Sequence, residues 1–255
     1  MDVGNTNINI GLWDGDELKD DWRLGTRRES TLDELGLIIG GLFATGGYSF
    51  DMISGFIISS VVPPMRPALE RFGSKYVKLR PIFLEPQRQT IMPLHYSNPA
   101  EVGADRVAVS IAAYRRLRSS AIVVDLGTAT TFDCISKDGA HLGGAIAPGL
   151  RLSADALFQK ASRLPKLELF DIPAQAIAKD TISSLNAGLI YGYIGLVDGL
   201  CQRLKEELDG EGRVRVVATG GLASLIASES SQIEEVFPDL TLEGLKIIYN
   251  EMAWQ

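Results

Sequence analysis

Cysteine is nearly absent: Cys134 and Cys201 are the only two in 255 residues, and they lie far apart. That excludes a disulfide framework, and two reduced, buried thiols are expected. Histidine is as scarce. His95 and His141 have no second His or Cys at ligand spacing, so no zinc site is legible. No apolar run reaches the ~18 residues of a membrane span. The N-terminus has no basic stretch leading into an apolar one, so no signal peptide is expected. Positive charge is in deficit, with 25 Lys and Arg against 32 Asp and Glu, a net charge of −7. Such a balance speaks against a nucleic-acid surface. It leaves a nucleotide open, because local amides and one cation override a negative global field. The pattern Gly-x-x-x-x-Gly-Lys-Ser/Thr is missing too, which excludes a P-loop. The class left is a cytoplasmic enzyme without a membrane or nucleic-acid partner.

What is present is a motif that occurs twice. Asp2-Val3-Gly4-Asn5-Thr6-Asn7 stands at the start, and Asp125-Leu126-Gly127-Thr128-Ala129-Thr130-Thr131 near the middle. Each is an acid, an apolar residue, a glycine and then small hydroxyl or amide side chains. A strand that ends in Asp and turns through Gly gathers a carboxylate and several N–H groups at one point. That set suits phosphate oxygens and their bound cation. Two copies imply two similar halves facing one cleft, residues 1–118 and 119–255, with the boundary near Ser119-Ser120.

The pattern along the chain supports an α/β fold. Ile8 to Trp13 alternates as a strand, Asp14-Gly15 marks a hairpin turn, and Leu18 to Leu24 returns. Thr31 and Glu34 form a capping box ahead of a helix to Phe43. Ser54 to Val62 reads as a buried strand, Pro64 to Phe72 as a helix stopped at Gly73, and Tyr76 to Leu79 and Ile82 to Leu84 as short strands. Pro86 to Ala100 reads as a loop, and Ala104 to Leu117 as a helix with a solvated basic end at Arg115, Arg116 and Arg118. The second half repeats the first. Strands are expected over Ile122 to Asp125, Thr131 to Ser136 and Ala140 to Ile146, with Lys137-Asp138-Gly139 as the hairpin turn. Helices follow over Pro148 to Ala161 and Ser183 to Leu208, the latter an interface or core helix with Tyr191, Gly192, Gly195 and Gly199 as close-packing positions. A strand over Val214 to Ala218 ends in Thr219-Gly220-Gly221, and a last helix lies near Leu242 to Tyr249. Trp13, Trp22 and Trp254 read as packing residues.

Duplicated strand-hairpin units with an acidic Gly turn, and a late Gly-Gly before a helix, resemble the acetate and sugar kinase, Hsp70 and actin superfamily. The fold implied is two tandem ribonuclease H-like (actin-like ATPase) domains with a nucleotide cleft between them. More closely, the chain resembles the type III pantothenate kinases. The matching stretches are Asp2 to Asn7, Ser60-Val-Val-Pro63, Tyr96 with Asn98-Pro99, Gly103-Ala-Asp-Arg106, Asp125 to Ala129, Gly143-Gly144 with Pro148-Gly149, Thr181 and Thr219-Gly-Gly221. They run in order over essentially the full length, and Gly-Ala-Asp-Arg after Tyr-x-Asn-Pro is the most specific.

The resemblance implies transfer of the γ-phosphoryl of ATP to the primary hydroxyl of pantothenate, the first step of coenzyme A biosynthesis. It makes Asp105 the base; on position alone Asp105 would equally serve as an N-cap. It places Tyr96, Gly103, Ala104, Asp105, Arg106 and Thr181 on pantothenate, with Thr181 also suited to cap the long helix. It places Asp2, Val3, Gly4, Asn5, Thr6, Asn7, Ile8, Asn9, Thr128, Gly220 and Gly221 on ATP. Asp2 would orient a magnesium-bound water, and Asp125 would hold a monovalent cation, potassium or ammonium. A homodimer is implied. One departure stands out: only Met1 precedes Asp2, where the family has several apolar residues. A start upstream, or a truncated and frayed first strand that places Asp2 poorly, is the expectation. Two other classes stay open. A non-catalytic accessory protein on the same fold would have no need of Asp2, Asp105, Arg106, Asp125 and Thr128 together. An actin-like or Hsp70-like ATPase would need an added domain for its partner.

Overall fold

Alternation settles the first hairpin. In the computed structural model, strand β2 (Asn7–Asp14) buries Ile8 and Ile10, and strand β3 (Glu17–Gly25) returns beside it. Gly15 makes the turn at φ 56°, which a residue with a side chain adopts only under strain. The structure describes all residues except Ser162, Arg163, Lys166–Leu169, Asp209, Glu211 and Ala253–Gln255. Trp254 therefore lies outside the described residues. Trp22 packs as expected, its ring 4.9 Å from that of Phe43.

Strand β1 (Asp2–Val3) pairs antiparallel with β2 and parallel with β4 (Ile57–Ser60), and β5 (Ile82–Phe83) runs parallel to β4. The order is β3-β2-β1-β4-β5. Helix α1 (Leu32–Thr45) carries the expected capping box and buries Leu35, Ile39 and Phe43. Helix α2 (Arg66–Phe72) does not stop at Gly73. It runs on through a wide π-turn, Gly73–Val77, and ends at Lys78 with φ 61°. The strand expected over Tyr76 to Leu79 is thereby overturned. The Tyr76 ring stacks 6.1 Å from Phe72, its hydroxyl donates to Asp33 at 2.7 Å, and Gly36 leaves room for it. Aromatic packing outweighs a four-residue alternation.

The second sheet repeats the first in order and sense. Strands β6 (Ala121–Leu126), β7 (Ala129–Ile135) and β8 (His141–Pro148) form the antiparallel part. Strands β9 (Arg215–Thr219) and β10 (Glu235–Val236) add in parallel, giving β10-β9-β6-β7-β8. Strand β10 has two residues and left no periodic signal. Helix α3 (Ala104–Leu117) precedes β6; α4 (Leu150–Lys160) and α5 (Thr181–Glu207) follow β8; α6 (Ala223–Ala227) and α7 (Leu240–Met252) close the chain. Ile190, Val197 and Cys201 of α5 pack on Ile122, Val124 and Phe132. Both cysteines are free and buried, and burial pushes the Cys201 thiol up to about 12, which makes it inert. Gly192, Gly195 and Gly199 are not close-packing positions within the chain. They lie on the exposed face of α5, where an added Cβ meets nothing within 4 Å.

The chain divides into two compact units. The first joins Met1–Met92 and Ser97–Ala112 with the segment from Thr241 onward; the second joins Pro93–Tyr96 with Ala113–Leu240. A single cut near Ser119-Ser120 misses this, because α7 returns to the first unit. There Gly244 approaches the Ala108 backbone so closely that a Cβ would collide with it.

The first strand is short but not frayed. The Met1 ammonium donates to the Ile57 carbonyl at 3.0 Å, the Ser59 N–H donates to the Met1 carbonyl at 3.0 Å, and Met1 is buried. Asp2 is thus held in register, against the expectation. Yet β1 meets β2 only at Asp2↔Asn9 and Val3↔Ile8, while β2 runs on to Asp14. A 360 Å³ cavity opens in this unit, lined by Ile10, Leu12, Ile39, Phe43, Ile57 and Leu245 among others. Three apolar residues added before Met1 are expected to extend β1 into it. Burying each side chain gains about 1.5–3 kcal/mol, against about 1–2 kcal/mol to fix each residue. The melting temperature should rise by about 5 °C, at about 2–4 °C per kcal/mol. Differential scanning fluorimetry of the extended chain checks this, and an unchanged melting temperature would contradict it.

Candidate active site

The first acidic turn is built from the sheet outward. The Gly4 N–H donates to the Asn7 carbonyl at 2.9 Å, and a Cβ at Gly4 would lie 3.1 Å from that oxygen. The chain leaving β3 clamps the turn: the Thr26 hydroxyl donates to the Gly4 carbonyl at 2.7 Å, and its N–H to the Thr6 carbonyl at 2.9 Å. Asn5 and Thr6 stand exposed, and Asn7 and Asn9 are half-buried. Val3 and Ile8 are different. Their side chains lie in the core and their backbones face each other in the ladder. As sequence neighbours of the turn they can shape it, but they offer no side chain to a ligand.

Asp2 opens β1 and is partly buried. Burial first, and then the negative charge of Asp105, push its carboxyl up to about 6. Two carboxylates of the first unit therefore share one field, one from a strand end and one from a helix start. Asp105 lies in the first turn of α3, where its Oδ1 accepts the Arg106 N–H at 2.8 Å. It is not the cap: Gly103 precedes the helix, and its carbonyl accepts the Val107 N–H at 3.2 Å. A Cβ at Gly103 would meet the Asp105 carboxylate, so a larger residue there would displace that side chain. Ala104 and Arg106 are buried. Asn98 caps the short turn Pro99–Glu101 ahead of α3, accepting the Ala100 N–H at 3.3 Å.

Tyr96 falls in the second unit, whereas Gly103 to Arg106 fall in the first. The segment leading to Tyr96 touches β8 through a single bridge. Leu94 bridges His141, the His141 N–H donates to the Pro93 carbonyl at 2.9 Å, and the His95 N–H donates to the His141 carbonyl at 2.8 Å. Below it His141 and Asp133, both fully buried, meet at 2.9 Å between Nε2 and Oδ1. This buried pair was not legible in the sequence. It sits at a bulge, where the register shifts between Cys134 and Ile135, and eight residues separate its members.

Thr181 is exposed and is the first residue of α5, but it is not the cap. Asp180 is, accepting the Ser183 N–H at 2.9 Å, and those bonds hold its carboxyl below the usual range.

The second turn mirrors the first. The Gly127 N–H donates to the Ala129 carbonyl at 3.1 Å, and Gly127 and Thr128 are exposed. The Gly149 N–H holds the Thr128 carbonyl at 3.1 Å, and a Cβ on Gly149 would collide with it. Asp125, the penultimate residue of β6, lies between Thr131 on β7 and Thr219 on β9. Gly220, at φ 94°, lies against it. A Cβ there would sit 2.6 Å from Asp125 Oδ1 and 2.8 Å from the Leu126 carbonyl oxygen. The space a side chain would fill is thus walled by a carboxylate and a carbonyl, an oxygen set that suits a hard cation. Among the described residues no three His, Cys, Asp or Glu side chains group to hold a metal. No helix among them is long and apolar enough to cross a membrane.

Comparison with known proteins adds to this geometry. The sequence profile described as type III pantothenate kinase matches residues 1–203. A type III pantothenate kinase of Desulfatibacillum aliphaticivorans is 50% identical over 253 residues, 99% of this chain and 98% of the relative. Among solved structures, the activator of the 2-hydroxyisocaproyl-CoA dehydratase from Clostridium difficile, with bound ADPNP, aligns at TM-score 0.52 and 12% identity, over 99% of this chain and 94% of that one. The inorganic polyphosphate/ATP-glucomannokinase from Arthrobacter sp. strain KM aligns at TM-score 0.50 and 13% identity, over 98% and 97%. At such identities these two show the fold alone, the actin-like ATPase and sugar kinase fold in two α/β halves.

Proposed function

This chain belongs to the type III pantothenate kinase family, and we propose how its acidic turns carry the reaction. It is an ATP-dependent kinase that moves the γ-phosphoryl of ATP to the primary hydroxyl of pantothenate, opening coenzyme A biosynthesis. Asp105 is the general base. As the new O–P bond forms and the β–γ bond breaks, its carboxylate takes the hydroxyl proton and ADP leaves. The observation that carries this assignment is the placement of Asp105 in the first turn of α3, where it is not the cap and its Oδ1 is held by the Arg106 N–H; its negative charge also acts on Asp2 of the first acidic turn. Gly103 and Ala104, which carry no large side chain beside it, are assigned to pantothenate with it. Arg106, Tyr96 and Thr181 are assigned to pantothenate, whose own carboxylate suits a guanidinium.

Asn5, Thr6, Asn7, Asn9 and the Gly4 turn are assigned to phosphate oxygens, Thr128 likewise, and Gly220 and Gly221 to adenosine. Magnesium fits beside Asp2, a carboxylate that burial and a second acid leave short of positive charge. Among the described residues no group of three His, Cys, Asp or Glu side chains accompanies it; a bound magnesium would supply charge neutralisation on the transferring group. A monovalent cation fits at Asp125 for the reason given by the space beside Gly220. A homodimer is supported by an exposed apolar set in the second unit, Ile146, Leu152, Phe158 and Ile182, and by the exposed glycine face of α5. A cytoplasmic enzyme fits the reduced cysteines.

The cation assignment is tested by turnover in potassium and in sodium. Wild-type protein is expected to be faster in potassium. Asp125→Asn should lose that preference and about tenfold or more in kcat, the worth of one charge-assisted contact. A variant that keeps the wild-type potassium-to-sodium ratio would overturn the assignment.

A further inference from the structure

We propose that Arg28 is a triphosphate-binding residue, and that Thr26 fixes the turn it serves. The inference rests on the reading that the first acidic turn takes ATP phosphates. Strand β3 ends with Gly25 opposite Asn7. The chain then passes the acidic turn from Thr26 to Arg28, and Thr31 caps α1. Along that path Thr26 binds the carbonyls of Gly4 and Thr6, and Arg28 Nη2 donates to the Asn5 side chain oxygen at 3.2 Å. Three bonds thus join this segment to three successive residues of the turn.

Arg28 is exposed and pairs with no carboxylate among the described residues. Its neighbour Arg27 is spoken for differently: its charge acts on Glu34, the carboxylate of the capping box. The turn itself is short of positive charge. Asp2 and Asp105 are both acidic, and the P-loop lysine that neutralises phosphate in other kinases is absent. A guanidinium carries five N–H donors in a planar fork. Asn5 takes one of them and ties the fork to an exposed residue of the turn. The remaining donors match phosphate oxygens, and charge developing on the transferred group gains most from them.

The test is titration calorimetry of ATP, ADP and adenosine, each with magnesium, into wild-type protein, Arg28→Ala, Arg28→Lys and Arg27→Ala. Arg28→Ala is expected to weaken ATP about 10–100-fold, ADP less, and adenosine not at all. Arg28→Lys should recover part of the ATP affinity, and Arg27→Ala should bind like wild type. ATP binding by Arg28→Ala at wild-type strength would overturn the proposal. So would an equal loss of all three ligands, which marks collapse of the turn. Wild-type protein that binds no ATP would sink the parent reading along with it.

Discussion

Asp105→Asn is expected to lower kcat about 10²–10⁴-fold, the usual contribution of a positioned base. Asparagine keeps the shape of the side chain and can still accept the Arg106 N–H that Asp105 Oδ1 accepts at 2.8 Å. What it cannot do is take a proton. ATP binding should survive, because the variant removes one negative charge from the field around Asp2 and leaves the Gly4 turn intact. The variant separates transfer from binding. Steady-state ADP release measures kcat, and calorimetry with ATP measures binding. Turnover within about tenfold of wild type would remove Asp105 from the role of base.

Asp2→Asn is expected to do two things of opposite sign: abolish turnover and raise stability. Ionised Asp2 is partly buried beside a second carboxylate, and its carboxyl is pushed up to about 6. A carboxyl with a raised folded-state pKa favours folding only while protonated. Its penalty is absent below about pH 4, grows as pH rises towards 6, and is complete above that. A shift of about two units corresponds to about 3 kcal/mol at most. In EDTA at neutral pH the variant should therefore melt several degrees above wild type, and the gap should close near about pH 4. The Met1 ammonium does not cancel: its own burial lowers it to about 6 and the Asp2 charge raises it, so the variant loses that support and the gap narrows further as the ammonium protonates at lower pH. Melting curves from about pH 4 to pH 8 check the sign. A variant less stable than wild type at neutral pH would contradict it. The physical content is that Asp2 is kept for its ligand, at some expense in stability.

Much of this was legible in the chain, and for identifiable reasons. The repeated Asp-x-Gly turns announced two halves, and the two sheets share one order and one set of senses. The Thr31–Glu34 capping box and the Asp14-Gly15 and Lys137-Asp138-Gly139 turns carry their geometry in local residue choice. What was not legible depends on contacts distant in sequence. Tyr76 leaves strand geometry because Phe72, Gly36 and Asp33 hold its ring. The His141–Asp133 pair needs a bulge that no periodicity reports. The α5 glycines read as packing positions because spacing cannot tell a buried small-residue face from an exposed one. Asp180 displaced Thr181 as the cap by one residue, within the usual uncertainty of helix ends. Thr26 was within reach: the hairpin register places Gly25 opposite Asn7, and Thr26 follows it beside the turn.

The most direct test is ADP release from magnesium ATP in potassium, with and without pantothenate, by wild-type protein and Asp105→Asn. The account predicts release that requires pantothenate, yields phosphopantothenate in equal amount, and is lost in the variant. ADP release indifferent to pantothenate would make the protein an ATPase. No release from a folded protein that binds ATP would make it a non-catalytic relative, and either result would contradict the account.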